Sequence, residues 1–494
     1  MTIRPLLVYF TAQSYESSGV LTLGERLRCT SGARLLHVML ESNGNLLNEN
    51  NLIQVPFELS HEFGLIQSMI MTAIADSSID VVFMPNNSLH AYELCHRLAG
   101  KLNQVGINVK IFGIVHSNTE ASINLPISYI NFVSAIVGVS AHITKQLCLR
   151  LTNKELPCKT LNYPIGKIEY DINVPVRPDT LLRIVYVGRL NAHQKNFGKV
   201  IALIGLLDTL DVPYTLDIYG QGHMSDELMS FMDSRRLNQL DNVRWHGQVE
   251  HSALRRALAL YDVLILVSEF EGYPLAIMEA MASGVVPVIF NYGDEVHEVV
   301  IHGESGLVIH QNDLDQMAHS IAELAYKREK LFPLRRGALH HSAGFRNEQS
   351  WLRNIDELHN ETKSYASLIS TRFPIVEDTP WIKLNSELNR ISLRLHGEEK
   401  IIIWGGGYIG RMLIDKLHSS GVFDPQKAVI FDRTLYALIP SYRDVRYVRP
   451  DIKILNSASS VVIASLYYSS EILITLEGWL AENNMRIDIL TLNQ

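Results

Sequence analysis

Residues 268–288 read Ser268-Glu269-Phe270-Glu271-Gly272-Tyr273-Pro274-Leu275-Ala276-Ile277-Met278-Glu279-Ala280-Met281-Ala282-Ser283-Gly284-Val285-Val286-Pro287-Val288. The stretch runs from the end of an apolar strand pattern (263–267) through a turn into a helix, a cap and a further strand. Gly272 permits the tight turn, Pro274 suits the first helical turn, and Gly284 suits the C-terminal cap. A helix N-terminus therefore opens at the carboxyl end of a strand, where doubly wound α/β folds bind ligands and free amides can hold a diphosphate. Glu271 and Glu279 have seven residues between them, so one can face a sugar while the other reaches a ribose.

Outward from this stretch, β-branched runs alternate with longer helical patterns, which predicts parallel sheets. Runs 6–10, 34–40, 81–85, 109–116 and 135–140 are the strands of a first lobe. A proline-punctuated stretch, 163–178, breaks the series, and a second lobe begins with 182–188, 214–219, 243–247, 263–267 and 285–290. Residues 315–365 read as mostly helical, with Phe332-Pro333 as an interruption, and the apolar signal weakens between 367 and 399. The expected division is a first Rossmann-like lobe over 1–177, a second over 178–345, a crossing helix and linker over 346–398, and a small Rossmann-like domain over 399–494.

Right after the first strand of the second lobe stands Val187-Gly188-Arg189-Leu190-Asn191-Ala192-His193-Gln194-Lys195-Asn196. Arg189 offers a planar fork for phosphate oxygens and Lys195 a point charge, which suits a diphosphate leaving group as it gains negative charge. In the first lobe, His116 ends a strand within Ile114-Val115-His116-Ser117-Asn118, at a carboxyl end that faces the cleft. Among D-x-D pairs, Asp313-Leu314-Asp315 lies where a helix begins, and Asp313 reads as its cap.

These strings together resemble glycosyltransferase family 4 over roughly residues 1–365: the E-G-x-P and E-A-M-A-x-G elements, and V-G-R followed by K-N. The resemblance implies an α/β GT-B architecture of two facing lobes, and a retaining transfer from a nucleoside diphosphate sugar to a hydroxyl of a saccharide or lipid-linked acceptor. By that likeness Glu271 meets the donor sugar and Glu279 the ribose. Arg189 and Lys195 bind the diphosphate with the turn Gly272, Tyr273, Pro274 and Leu275, and His116 serves near donor and acceptor. Gly220 and Gly222 stand where the family places its loop near the base. Gly19, in Ser17-Ser18-Gly19, stands where the family has a richer glycine loop for donor and acceptor. Synthesis of a surface polysaccharide is the setting that the likeness suggests. A catalytically degenerate relative, acting as scaffold or nucleotide sensor, is the competing reading.

The last domain opens with Ile401-Ile402-Ile403-Trp404-Gly405-Gly406-Gly407-Tyr408-Ile409-Gly410, a G-x-G-x-x-G between strand and helix, and Asp432 closes the next strand. This is the setting of a dinucleotide fingerprint at Gly405, Gly407, Gly410 and Asp432. NAD or another nucleotide, a protein partner held through 399–494, and glycines that serve only packing are the three readings.

The composition excludes several classes. Hydrophobic residues make up 47% and charged residues 19%, as in an ordinary folded chain. A net charge of −8 argues against nucleic acid. Lys327-Arg328-Glu329-Lys330 with Arg335-Arg336 reads as a solvated helix face, leaving at most peripheral contact with a membrane. Cys29, Cys95, Cys148 and Cys158 lack metal or disulfide spacing, and the apolar run after Arg4 is too short for a signal segment, so a cytoplasmic location is expected, peripheral to the inner membrane face at most. With no carboxylate cluster evident, no cofactor or metal is expected in the transfer step.

Overall fold

A computed structural model describes residues 5–12, 24, 27, 34–42, 47–49, 51–56, 63–74, 80–86, 88–151, 156–165, 181–192, 194–237, 241–346, 348–372, 380–395, 400–405, 408–419, 423–432, 441–464, 469–483, 485 and 487–492. The chain divides into two compact units, Met1–Pro374 and Ile375–Gln494.

The first unit holds two sheets. Among the described residues, one comprises β1 (Leu6–Ala12), β2 (Leu35–Ser42), β3 (Leu47–Glu49), β4 (Leu52–Pro56), β5 (Val81–Met84), β6 (Val109–Val115), β7 (Ala135–Gly138) and β8 (Cys158–Thr160), in the order β3-β4-β2-β1-β5-β6-β7-β8. All neighbours are parallel except β3 with β4. The other comprises β9 (Leu182–Val187), β10 (Tyr214–Tyr219), β11 (Val243–Gly247), β12 (Val263–Leu266), β13 (Val286–Phe290) and β14 (Leu307–Ile309), all parallel, in the order β11-β10-β9-β12-β13-β14. These are the two Rossmann-like lobes of the GT-B architecture. The central strands β12 and β13 are buried throughout, which explains why they are unbroken apolar runs.

Strand order reverses between β9 and β12. The two pair only through Ile184↔Val263 and Val185↔Leu264, although β9 runs on to Val187 and β12 to Leu266. The strands thus part toward their carboxyl ends, and a crevice opens at the switch point.

Helix Leu275–Ala282 follows β12, with Pro274 at its N-cap. Gly284 takes φ +75° just past the end, and the amides of Gly284 and Val285 close onto Met281 O and Ala280 O. That left-handed cap is why glycine stands there. Asp313 caps helix Leu314–Tyr326, its carboxylate accepting from Gln316 N at 2.9 Å.

The helical region after β14 breaks at the 3₁₀ turn Arg328–Lys330, and Pro333 lies in the first turn of helix Leu331–Ser342, where a missing N–H costs nothing. The basic cluster there is not wholly a solvated face. Arg328 and Arg335 are buried against the fully buried Asp262, with Arg328 Nη2 at 2.9 Å and Arg335 Nη1 at 3.7 Å; Arg183 reaches the same carboxylate. Lys327 and Lys330 stay exposed and pair with Glu323. A carboxylate 66 residues upstream of Arg328 draws the two arginines inward, a contact that local charge pattern cannot reveal.

Helix Glu348–Glu361 returns to the first lobe. Trp351, Leu352, Ile355 and Leu358 are buried on one side, Lys110 Nζ donates to His359 O, and Lys159 pairs with Glu361. Tyr365 Oη then meets His96 Nδ1 at 2.8 Å.

In the second unit, the described strands β15 (Ile401–Trp404), β16 (Ala428–Phe431), β17 (Ser441–Tyr442), β18 (Val445–Val448), β19 (Ser460–Ile463) and β20 (Asp488–Thr491) are ordered β17-β18-β16-β15-β19-β20, parallel except β17 with β18. This is the expected third Rossmann-like sheet. Helix Pro380–Arg394, in a stretch whose apolar signal reads as weak, buries Leu384, Leu388 and Ile391 and bonds through Asn389 Oδ1 to Lys416 of helix Tyr408–Ser419.

Candidate active site

The loop after β9 carries Arg189 and Lys195. It is fixed from below by Tyr186, whose buried hydroxyl donates to Arg189 O at 2.9 Å, and from within by Asn191, whose Oδ1 accepts from Lys195 N at 2.9 Å. Gln194 ties it to the loop after β12: its carbonyl accepts from Glu269 N at 2.9 Å, its Nε2 reaches Phe270 O at 3.4 Å, and its Oε1 accepts from Arg189 Nη2 at 2.6 Å. These ties carry Lys195 Nζ to 2.6 Å from Glu271 Oε1, with both side chains largely buried. The two strings singled out in the sequence, 76 residues apart at these positions, therefore meet in one ion pair.

Gly220 and Gly222, after β10, pack backbone to backbone on that same loop. A Cβ on Gly220 would stand 1.9 Å from Gly188 O, and one on Gly222 would stand 2.4 Å from Leu190 O. Glu279, on the helix after the turn, is buried and accepts from His251 Nε2 at 2.8 Å. Glu271 and Glu279 thus work apart, each with a different cationic or basic partner.

The first lobe closes the site. His116 follows β6, and its carbonyl oxygen lies where a Cβ on Gly272 would be, 1.6 Å from it, so only glycine admits this approach. The His116 ring stacks on Tyr163 at 5.4 Å between centroids and contacts Asn86 Oδ1 through Nε2. Burial pushes its pKa down to about 3, so the ring is neutral in the physiological range. Across the same junction, Glu298 accepts from Ala141 N at 2.8 Å and His142 N at 2.7 Å, the first amides of helix Ala141–Arg150, and Asn118 Nδ2 donates to Glu295 Oε1 at 2.8 Å. Burial raises the Glu295 carboxyl above its usual range, His142 and the neighbouring acids acting behind that effect.

Glu271, Gly272, Arg189, Lys195, Gly220, Gly222 and His116 are therefore brought together, with Tyr273, Pro274 and Leu275 completing the turn and Glu279 about one helical turn on. Gly19 and Gly407 lie outside the described residues. Gly405 (φ +109°), Gly410 and Asp432 belong to the second unit, where a Cβ on Gly410 would stand 2.1 Å from Gly405 O, so close helix-to-turn packing alone requires that glycine. Asn86, Tyr163, His251, Glu295 and Glu298 are participants that motif reading passes over. Of these only Asn86 carries a sequence signal, its place just past a strand at the first lobe's switch point. Among the described residues no group of three or more His, Cys, Asp or Glu side chains is placed to hold a metal ion, and no helix is long and apolar enough to cross a membrane.

Residues 168–336 match the family described as glycosyl transferases group 1. Over 138 residues the chain is 30% identical to glycogen synthase of Mycobacterium tuberculosis, covering 28% of this chain and 32% of that protein. Over 154 residues it is 28% identical to a putative colanic acid biosynthesis glycosyltransferase, WcaL, of Salmonella typhimurium, covering 30% and 37%. The chain thus spans about a third of the length of these relatives. Among solved structures, Anabaena HepE in complex with UDP and glucose superimposes with a TM-score of 0.56 at 16% identity, over 72% of this chain and 100% of that one. That likeness is one of fold. The second lobe is thus similar to the glycosyl transferases group 1 family, and the first unit shares the GT-B fold.

Proposed function

We propose that this chain transfers a sugar from a nucleoside diphosphate sugar to a hydroxyl of a saccharide or lipid-linked acceptor, with retention of anomeric configuration and without a metal ion, in the making of a surface polysaccharide. The observation that carries the reading is the convergence of Lys195, Arg189 and Glu271 at the β9/β12 switch point, closed by the His116 backbone on Gly272. The resemblance to polysaccharide-making relatives supports the setting.

Arg189 and Lys195 take the diphosphate, and their charges stabilise it as the bond to the sugar's anomeric carbon breaks. The N-terminus of helix Leu275–Ala282 adds the partial positive charge of its dipole. Glu271 holds the sugar and Glu279, oriented by His251, the ribose hydroxyls. The acceptor oxygen bonds to the anomeric carbon on the face the diphosphate leaves, and the acceptor proton passes to the departing phosphate oxygen. Because Glu271 is engaged by Lys195, it serves charge balance and positioning rather than attack. The second unit is read as a protein-contact module.

The test is incubation of the full chain with a panel of nucleoside diphosphate sugars and saccharide acceptors, with and without chelator. A product of the donor's anomeric configuration by NMR, formed equally with chelator, is expected. An inverted product, or activity lost to chelator and restored by a divalent ion, overturns the corresponding part.

A further inference from the structure

Asn86 is buried at the carboxyl end of β5, and its side-chain amide is fixed at both ends. Nδ2 donates to Phe10 O, a backbone carbonyl that can only accept, and this settles which end of the amide is which. Oδ1, an acceptor only, therefore faces His116 Nε2. The proton of the neutral imidazole must then sit on Nε2, leaving Nδ1 with a lone pair that no described residue engages.

We propose that Asn86 is a positioning residue: it locks His116 as the neutral Nε2–H tautomer, so that Nδ1 is a standing acceptor for a hydroxyl of the bound sugar or acceptor. This rests on the transferase reading. The choice of an amide over a carboxylate is what the chemistry requires. An aspartate at the same place would pull the ring toward imidazolium, which donates from both nitrogens and can accept nothing. The other groups on the ring leave it uncharged. Tyr163 lies 3.4 Å from Nε2, and Tyr9 lies behind it; burial pushes both hydroxyls far up, so neither ionises. From the second lobe the ring's residue meets the Gly272 backbone, and the nearest carboxylate on that loop, Glu271, is paired with Lys195.

The test is nitrogen NMR of the full chain labelled at histidine, with His116→Gln to assign the signal, alongside thermal shifts with nucleoside diphosphates. The wild type is expected to show the Nε2–H tautomer with no titration between about pH 5 and pH 8. Asn86→Asp is expected to bring the ring's titration up from about 3 into that window, and Asn86→Ala to give mixed tautomers. Both should keep the diphosphate-induced shift, because that ligand is held by the second lobe. A wild-type ring protonated on Nδ1 or titrating near its ordinary value, or an Asn86→Asp variant with an unmoved titration, overturns the assignment. If no diphosphate stabilises the wild type, the transferase reading falls, and with it the sugar-hydroxyl role of Nδ1, while the spectrum still decides the tautomer.

Discussion

Lys195 Nζ lies 2.6 Å from Glu271 Oε1, so the cation proposed for the diphosphate is already bonded to the carboxylate proposed for the sugar. The pair keeps each buried charge compensated until a donor arrives. A diphosphate must then share or take Lys195. Glu271→Gln frees Lys195 and is expected to strengthen nucleoside diphosphate binding several-fold while transfer falls by about 100-fold or more. Lys195→Ala is expected to weaken the same binding by about 10- to 100-fold, the worth of one charge-assisted bond. Calorimetric titration of both variants checks the opposite signs.

Gly272→Ala places a methyl group 1.6 Å from His116 O, with backbone on both sides and no flexible side chain to give way. The lobes must part there. Transfer is expected to fall by at least about tenfold, since a displacement of this kind spoils the closed geometry, whereas far-ultraviolet dichroism and diphosphate affinity change little. An unimpaired variant would show that the two loops do not need this approach.

Glu298 bonds two amides at the start of a helix in the other lobe. Glu298→Ala is expected to cost about 0.5–2 kcal/mol, the range of a helix cap, read as a lower unfolding midpoint. A neighbouring group gives a pH signature. Glu295 has a raised carboxyl, so its charged form is disfavoured in the folded chain; wild type and Glu295→Gln should be close in acid, and the wild type should fall behind as pH rises through the folded value. Unfolding midpoints measured across pH decide this, and a gap that widens toward acid refutes it.

Asp262 is fully buried between Arg328 and Arg335. Asp262→Ala strands buried guanidinium charge and is expected to cost about 3–5 kcal/mol. Denaturant unfolding of the full chain measures it, and a loss under about 1 kcal/mol would mean the arginines reach solvent.

Strands inside the sheets were legible in the sequence because burial makes them largely apolar runs: β10 matches its expected bounds, and β12 and β13 fall within one residue of theirs. Edge elements such as β3, β8, β14 and β17 were not, because two or three residues carry no periodicity. Helix Pro380–Arg394 escaped for a related reason: its buried Leu384, Leu388 and Ile391 are diluted by polar neighbours. Glu271, Lys195 and Arg189 were readable as types in a spacing. Their pairing, and the partners Asn86, Tyr163 and Glu298, depend on loops that meet only across sheets and lobes. Local pattern contains no record of such contacts, as the burial of Arg328 and Arg335 on Asp262 also shows.

In the proposed reaction the Arg189 and Lys195 loop binds the diphosphate of a nucleotide sugar. A thermal-shift titration of nucleoside diphosphates into the wild type and into Arg189→Ala with Lys195→Ala tests it most directly, because a ligand that binds the folded state raises its stability by mass action. At least one diphosphate is expected to stabilise the wild type, and the double variant is expected to lose the shift. A wild type that no diphosphate stabilises, or a double variant that responds equally, would contradict it.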